Sequence, residues 1–186
     1  SHPEWHINGD CLPLINGSNI KFTTQNGDAH TIEKWHLIIA HPPCTFLTTS
    51  GNRWFNVEKY GDKALQRIQD REEGADFFMK FVNADCERIA IENPIGVMSK
   101  RYRKPNQIIQ PWMWGDNTVK STCLWLKGLP CLIPDVTEKP EIEYKEWIDS
   151  KTGVHKRQAL DSYSASGKKD RQVVRSKTFK GTANAI

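Results

Sequence analysis

The sequence predicts an α/β fold with a mostly parallel sheet and flanking helices, and three observations carry that expectation. Short apolar runs at 36–40, 88–92 and 122–127 are β-rich and bounded by Pro or Gly, as buried strands are. Between the first two lies 57–82, where Leu65, Ile68, Ala75, Phe78 and Val82 recur at helical spacing with polar residues between them. Two strands joined through a helix of that length form a crossover and lie parallel. The 186 residues fit one domain, 1–186. A chain of this size removes about 70% of its unfolded surface from water and so buries a sizeable core.

Taken in order, the first strand, His36 to Ala40, runs into His41-Pro42-Pro43-Cys44, where two prolines end any pairing. The stretch from Thr48 to Tyr60 has no strong periodicity and is expected to form a flap over a crevice. There Arg53 would meet a phosphate, and Trp54 or Phe55 would stack on a base. The apolar stripe of the following helix is core packing. The second strand, Arg88 to Glu92, closes on a carboxylate followed by Asn93 and Pro94. An acid ending an apolar strand calls for an explanation, because carboxylates are rarely buried without a partner. The loop 95–109 then brings Lys100, Arg101, Arg103 and Lys104 beside that strand, a basic element suited to phosphate. Pro111-Trp112-Met113-Trp114-Gly115 offers further aromatic surface, and 122–127 supplies the third strand.

Charge is uneven along the chain. Residues 151–186 hold nine Lys or Arg against two Asp, a net of +7, so residues 1–150 sum to −3 within the overall +4. This basic C-terminal segment, rich in Gly, Ser and Lys from Asp161 to Lys177, is expected to be partly mobile and to contact a phosphate-bearing partner, nucleotide or nucleic acid. The five cysteines, at 11, 44, 86, 123 and 131, make no Cys-x-x-Cys pair and no Cys/His cluster, so neither a metal nor a disulfide framework is expected. The apolar runs are too short for a membrane span, and no secretory leader is read at the start. A cytoplasmic setting, in a reducing host cell, is the expectation. A homo-oligomer is left open.

Cys44 and Glu92 together suggest a chemistry. Pyrimidine C5 is a poor nucleophile, so alkylating it begins with addition of a thiolate to C6, and a carboxyl group hydrogen-bonded at N3 stabilises the charge pushed into the ring. Parallel strands of an α/β sheet deliver such groups to one crevice, beyond their carboxyl ends.

These residues also carry a resemblance. His36 to Cys44, a strand ending in Pro-Pro-Cys, and Ile89 to Pro94, a strand ending in Glu-Asn, resemble the catalytic strands of the C5-cytosine methyltransferases. The resemblance implies a Rossmann-like methyltransferase core, with Cys44 as nucleophile, Glu92 at N3, and S-adenosylmethionine as methyl donor. Pro43, Thr45 and Asn93 would line the base pocket. Gly27-Asp28 is similar to the family's Gly-Asp near the cofactor adenine, which makes Asp28 the cofactor-binding candidate. Lys120 and Thr122, in the run Gly115 to Gly128, stand where the family's polar Gln and Arg residues stand. Ser176 to Asn184 resembles the closing segment beside the cofactor. The His-Pro-Pro-Cys-Thr loop, the Ile-Glu-Asn-Pro strand end and the Cys-Leu-Trp-Leu-Lys-Gly-Leu-Pro segment are also similar to small phage and prophage proteins, which implies a mobile-element origin.

The chain departs from the family pattern in four places. Thr45 replaces Gln after the cysteine, and Pro94 replaces a hydrophobic residue after Glu-Asn. No Phe-x-Gly-x-Gly-like loop precedes Gly27, so the core reads as truncated at its N-terminal cofactor-binding part, and no long target-reading insert separates Gly128 from Phe179. Three functions fit these features. The first is a cytosine C5-methyltransferase-like enzyme acting on a flipped base or a nucleotide. The second is a catalytically inactive nucleotide-binding protein that sequesters a nucleotide signal of host anti-phage defence. The third is a DNA-binding accessory protein resting on its basic tail.

Overall fold

A computed structural model describes residues 2–159 and 180–185. The basic stretch 161–177, and residues 176–179 of the candidate closing segment 176–184, lie outside the described residues. The chain folds as two compact units, one of residues 1–107 with 123–131, the other of 108–122 with 132–186.

The first unit begins with an antiparallel hairpin, strands β1 (Ile20–Thr23) and β2 (Ala29–Ile32), in the register Ile20 to Ile32 through Thr23 to Ala29. Gly27 closes its turn at φ +96°, a left-handed conformation that a side chain disfavours. The chain then enters β3 (Ile38–Ala40), the turns around Thr49–Phe55, and helices α1 (Val57–Tyr60) and α2 (Asp62–Val82). After these come β4 (Ile89–Pro94), α3 (Met98–Arg101), β5 (Gln107–Ile109) and β6 (Thr122–Lys127). These strands form a four-stranded mixed sheet in the order β3-β4-β6-β5. Its β3–β4 pair is parallel, with Ile38, Ile39 and Ala40 opposite Ile89, Ala90 and Ile91, and α2 lies in the connection between them. The sequence reading of a strand-helix-strand crossover therefore holds, while the sheet as a whole is mixed rather than mostly parallel.

Burial follows position in the sheet. Ile89, Ala90 and Ile91 of β4, an inner strand, are all buried, whereas the edge strand β3 alternates, with Ile38 and Ala40 in and Ile39 out. The core centres on Phe78 of α2, fully buried edge-on against Trp125 of β6 with ring centroids 5.2 Å apart. The Trp125 indole N–H donates to the Arg103 carbonyl at 2.8 Å, so the largest buried ring leaves no polar atom unpaired. Leu47, Met98, Ile38 and Cys123 pack in the same core.

Two expectations about the helical region are corrected, and the segment expected as a flap takes a defined local form. The helix expected over 57–82 is two helices, broken at Gly61, whose φ of +51° and ψ of −132° suit a residue without Cβ. Leu65 and Ile68, assigned to the core stripe, are exposed, and the buried face is Ala64, Ala75, Phe78 and Phe81. The expected flap is ordered as a 3-10 turn, Thr49–Phe55, whose N-cap Thr48 accepts from the Ser50 amide, followed directly by α1.

In the second unit, a 3-10 turn at Pro111–Trp114 ends at Gly115 in the left-handed region. The Gln110 side chain braces it, donating to Ser121 and accepting from the Lys120 amide. The hairpin of β7 (Tyr144–Ile148) and β8 (His155–Ala159) turns at Asp149, whose carboxyl takes amide N–H bonds from Lys151 and Thr152. Together with the Lys156 ammonium, these hold it well below the usual carboxylate range. Helix α4 (Lys180–Ala185) packs against the Pro111–Trp114 turn, and a Cβ on Gly181 would lie 2.3 Å from the Trp114 carbonyl. Among the described residues no helix is long and apolar enough to cross a membrane.

Candidate functional site

The parallel register of β3 and β4 brings their carboxyl ends to one edge of the sheet, and the continuation of that register sets His41 beside Glu92. His41 Nδ1 lies 3.1 Å from Glu92 Oε2. One residue further on, the buried Asn93 donates its side-chain amide to the carbonyl of Pro42 at 2.8 Å. The Pro-Pro-Cys loop is thus tied to the strand that carries Glu92 at two successive positions.

Past the prolines, the Cys44 carbonyl accepts from the amides of Leu47 and Thr48 at 3.0 and 3.1 Å, which closes a turn and leaves Pro43, Cys44 and Thr45 exposed. Leu47 is fully buried and anchors that turn in the core. Thr48 then bridges to Gly96 in the loop after β4, with the Val97 amide donating to the Leu47 carbonyl at 2.8 Å. A Cβ on Gly96 would sit 2.1 Å from that carbonyl oxygen, so the close approach of the two loops needs glycine there.

From the other side, α2 supports the loop. Arg71 Nε donates to the Phe46 carbonyl at 2.7 Å and its Nη2 to Asn52 at 2.8 Å, while its guanidinium lies 3.4 Å from the centroid of the Phe55 ring. Arg67 stacks over Phe46 and Phe55. Burial, and the neighbouring Arg101 and Arg67 charges, pull Arg71 below its ordinary range. On the strand beyond β4, the buried Cys123 thiol is pushed up by desolvation and by the charge of Glu92.

The candidate residues read from the sequence fall into three groups. Pro43, Cys44 and Thr45 lie in the loop that follows β3, and Glu92 and Asn93 lie at the end of the parallel neighbour β4, Asn93 as the buried residue that ties the loop down. Arg53, Trp54, Arg101 and Arg103 have other engagements: Arg53 stacks on Trp54 at 4.7 Å, and Trp54 leans on Tyr60 at 5.1 Å. Arg101 forks onto Glu72, and Arg103 donates to the Asn106 side chain and the Leu126 carbonyl. Lys120 and Thr122 belong to the second unit, where the buried Thr122 hydroxyl donates to the Lys120 carbonyl.

Asp28 stands apart. It lies in the β1–β2 turn, exposed, accepting from Asn26 at 2.7 Å, in a sheet separate from the one that carries Glu92. Among the described residues no strand passes into a helix through a glycine-rich turn, so Asp28 and its neighbours do not fit the cradle that S-adenosylmethionine needs. Among the same residues no group of three or more His, Cys, Asp or Glu could hold a metal ion.

His41 and Cys123 are site residues that sequence reasoning missed. The signal for His41 was present, since it follows its strand as directly as Glu92 ends its own. Cys123 was hidden because pairing of β4 with β6 is not written in local pattern. Comparison with protein-family models, with curated proteins and with solved structures finds no match.

Proposed function

We propose that the crevice beyond the carboxyl ends of β3 and β4 binds a pyrimidine base, free as a nucleotide or within nucleic acid, on a Rossmann-like plan akin to the C5-cytosine methyltransferases. One observation supports this reading above the others: Cys44 and Glu92 stand at the same end of two parallel strands, with their loops pinned together by the Asn93–Pro42 bond and the Thr48–Gly96 bridge. That is the arrangement needed by a nucleophile and an acid working on two atoms of one ring.

The chemistry of this chain's own residues can be written without a cofactor. The Cys44 thiolate forms a bond to C6, the C5–C6 π pair moves toward C5, and N3 takes a proton from the Glu92 carboxyl. Water then protonates C5, the original C5 hydrogen leaves to solvent, and C6–S cleavage returns the thiolate as N3 gives its proton back to the Glu92 carboxylate. The net result is exchange of the C5 hydrogen with water.

Binding is tested by native mass spectrometry with cytidine, uridine and adenosine monophosphates and with short single-stranded oligonucleotides. Pyrimidine ligands are expected to be retained over purine ones, with Glu92→Ala reducing affinity about tenfold through loss of one buried hydrogen bond. Equal retention of purines and pyrimidines overturns the reading.

A second reading is a nucleotide-sequestering protein of phage origin, acting on a signal of host defence. The observation that favours it is the place of Asp28, outside the sheet that bears Glu92. Under it, Cys44→Ala keeps its affinity and the wild-type protein leaves C5 untouched.

A further inference from the structure

We infer that Arg67 is a phosphate contact: its guanidinium, stacked on Phe46 and Phe55 beside the loop that presents Cys44, holds a phosphate of the ligand whose base lies at Cys44 and Glu92. This rests on the reading of the crevice as a pyrimidine site. It concerns the part of a nucleotide that the base-facing residues leave without a partner.

Helix α2 builds the contact. Arg67 and Arg71 are four residues apart, so they leave the helix on one face, toward the loop after β3 and the Thr49–Phe55 turn. The Arg67 guanidinium carbon lies 5.0 Å from the centroid of the Phe46 ring and 5.4 Å from that of Phe55. The two rings fix the guanidinium and keep away water that would screen its charge. A Cβ on Gly51 would stand 3.8 Å from Arg67 Nη2 and 3.9 Å from the Thr45 carbonyl oxygen. One end of the guanidinium and the residue after Cys44 therefore border the same glycine.

The arginines of this region differ in what they bind. Arg71 donates to the Phe46 carbonyl and to Asn52, and Arg101 forks onto Glu72. Arg53 is exposed and stacks on Trp54. Arg67 is half-buried and, among the described residues, makes no hydrogen bond and no ion pair, and its Nε is buried with no acceptor. Withdrawing a cation from water without an anion opposes folding, and the like charge of Arg71 one turn on opposes it further. An arriving anion relieves both terms. A phosphate suits the place, because two of its oxygens match a planar fork whose orientation is already set by stacking.

The test titrates cytidine, cytidine monophosphate and a short single-stranded oligonucleotide without terminal phosphate into the wild type and Arg67→Met, by calorimetry at one fixed salt concentration. Methionine keeps an unbranched apolar stem beside the two rings and removes the charge. The variant is expected to lose about tenfold or more in affinity for a phosphate-bearing ligand and to bind cytidine as the wild type does. Loss on the monophosphate identifies a free nucleotide as the source of the phosphate, and loss on the oligonucleotide an internucleotide phosphate. Unchanged affinity for both, or an equal loss on cytidine, overturns the inference and leaves the pyrimidine reading standing. If the wild type binds cytidine no better than adenosine, the pyrimidine reading falls instead, and the phosphate contact is judged alone. Inorganic phosphate is then titrated into the wild-type protein and followed by 15N NMR of the arginine side chains. A saturable shift of the Arg67 signal is expected, and a signal that stays in place overturns the inference. The same titration decides the question if Arg67→Met does not fold.

Discussion

The side-chain amide of Asn93 donates to the carbonyl of Pro42 at 2.8 Å, in a position 2% exposed, and this one bond ties the loop that presents Cys44 to the strand that presents Glu92. Without it, the Pro42 carbonyl is buried with no partner. Asn93→Ala is therefore expected to lower stability by about 1–3 kcal/mol, the cost of an unsatisfied buried acceptor. Urea unfolding measures it, and a cost within error of zero would mean that water reaches the Pro42 carbonyl.

Gly96→Ala tests the second tie. The added methyl group would meet the Leu47 carbonyl at 2.1 Å, a contact with backbone that no rotamer relieves. A loss of about 1–3 kcal/mol is expected, with the Cys44 loop displaced from β4. Faster amide hydrogen exchange at Val97, whose N–H donates to that carbonyl, reads out the displacement.

Phe78→Ala removes the ring that packs edge-on against Trp125. Both residues are fully buried, so the loss is about 3–5 kcal/mol by the usual cost of truncating a core aromatic. Leu65→Ala, on the exposed face of the same helix, is expected to change stability by less than about 0.5 kcal/mol. Thermal unfolding of the two variants distinguishes the faces.

Cys123 gives a pH dependence whose sign is fixed by its surroundings. Burial, then the charge of Glu92, favour its neutral thiol in the folded state, so folding holds a proton that the unfolded chain releases. The associated stability is present below the unfolded thiol's value, about pH 8.5, and is lost as pH rises above it. Cys123→Ala lacks this component, so the stability difference between wild type and variant narrows from about pH 8.5 upward. A difference that is flat to pH 10 contradicts the assignment. In the same samples at pH 8, a maleimide reagent is expected to modify the exposed Cys11, Cys44 and Cys131 and to spare Cys86 and Cys123 until the protein unfolds.

What was legible in the sequence was the part whose physics is local. Strands β4 and β6 are apolar runs in inner positions, and β3 is a short apolar run at the edge that still buries Ile38 and Ala40. The hairpin β1–β2 went unread because its strands are mostly exposed, with only Ile20 buried, so no alternation marks them. Gly61 could be read as a weak point in a helix but not as its start, since that depends on a left-handed φ. Among site residues, Cys44 and Glu92 were found by their place after strands. Arg101 and Arg103 were read as phosphate contacts from charge alone, whereas Glu72 and the carbonyl of Leu126 already engage them across long sequence separations. Charge runs do not disclose their partners.

The most direct measurement is loss of deuterium from C5 of deoxycytidine, as the monophosphate and within a single-stranded oligonucleotide, incubated with the wild-type protein and with Cys44→Ser in the absence of any methyl donor. Cys44-dependent exchange, reduced at least a hundredfold in the variant, is expected if the thiolate adds to C6 while Glu92 supports N3. Retention of the deuterium by the wild type, with the ligand bound, would contradict covalent activation and leave a protein that only holds the nucleotide.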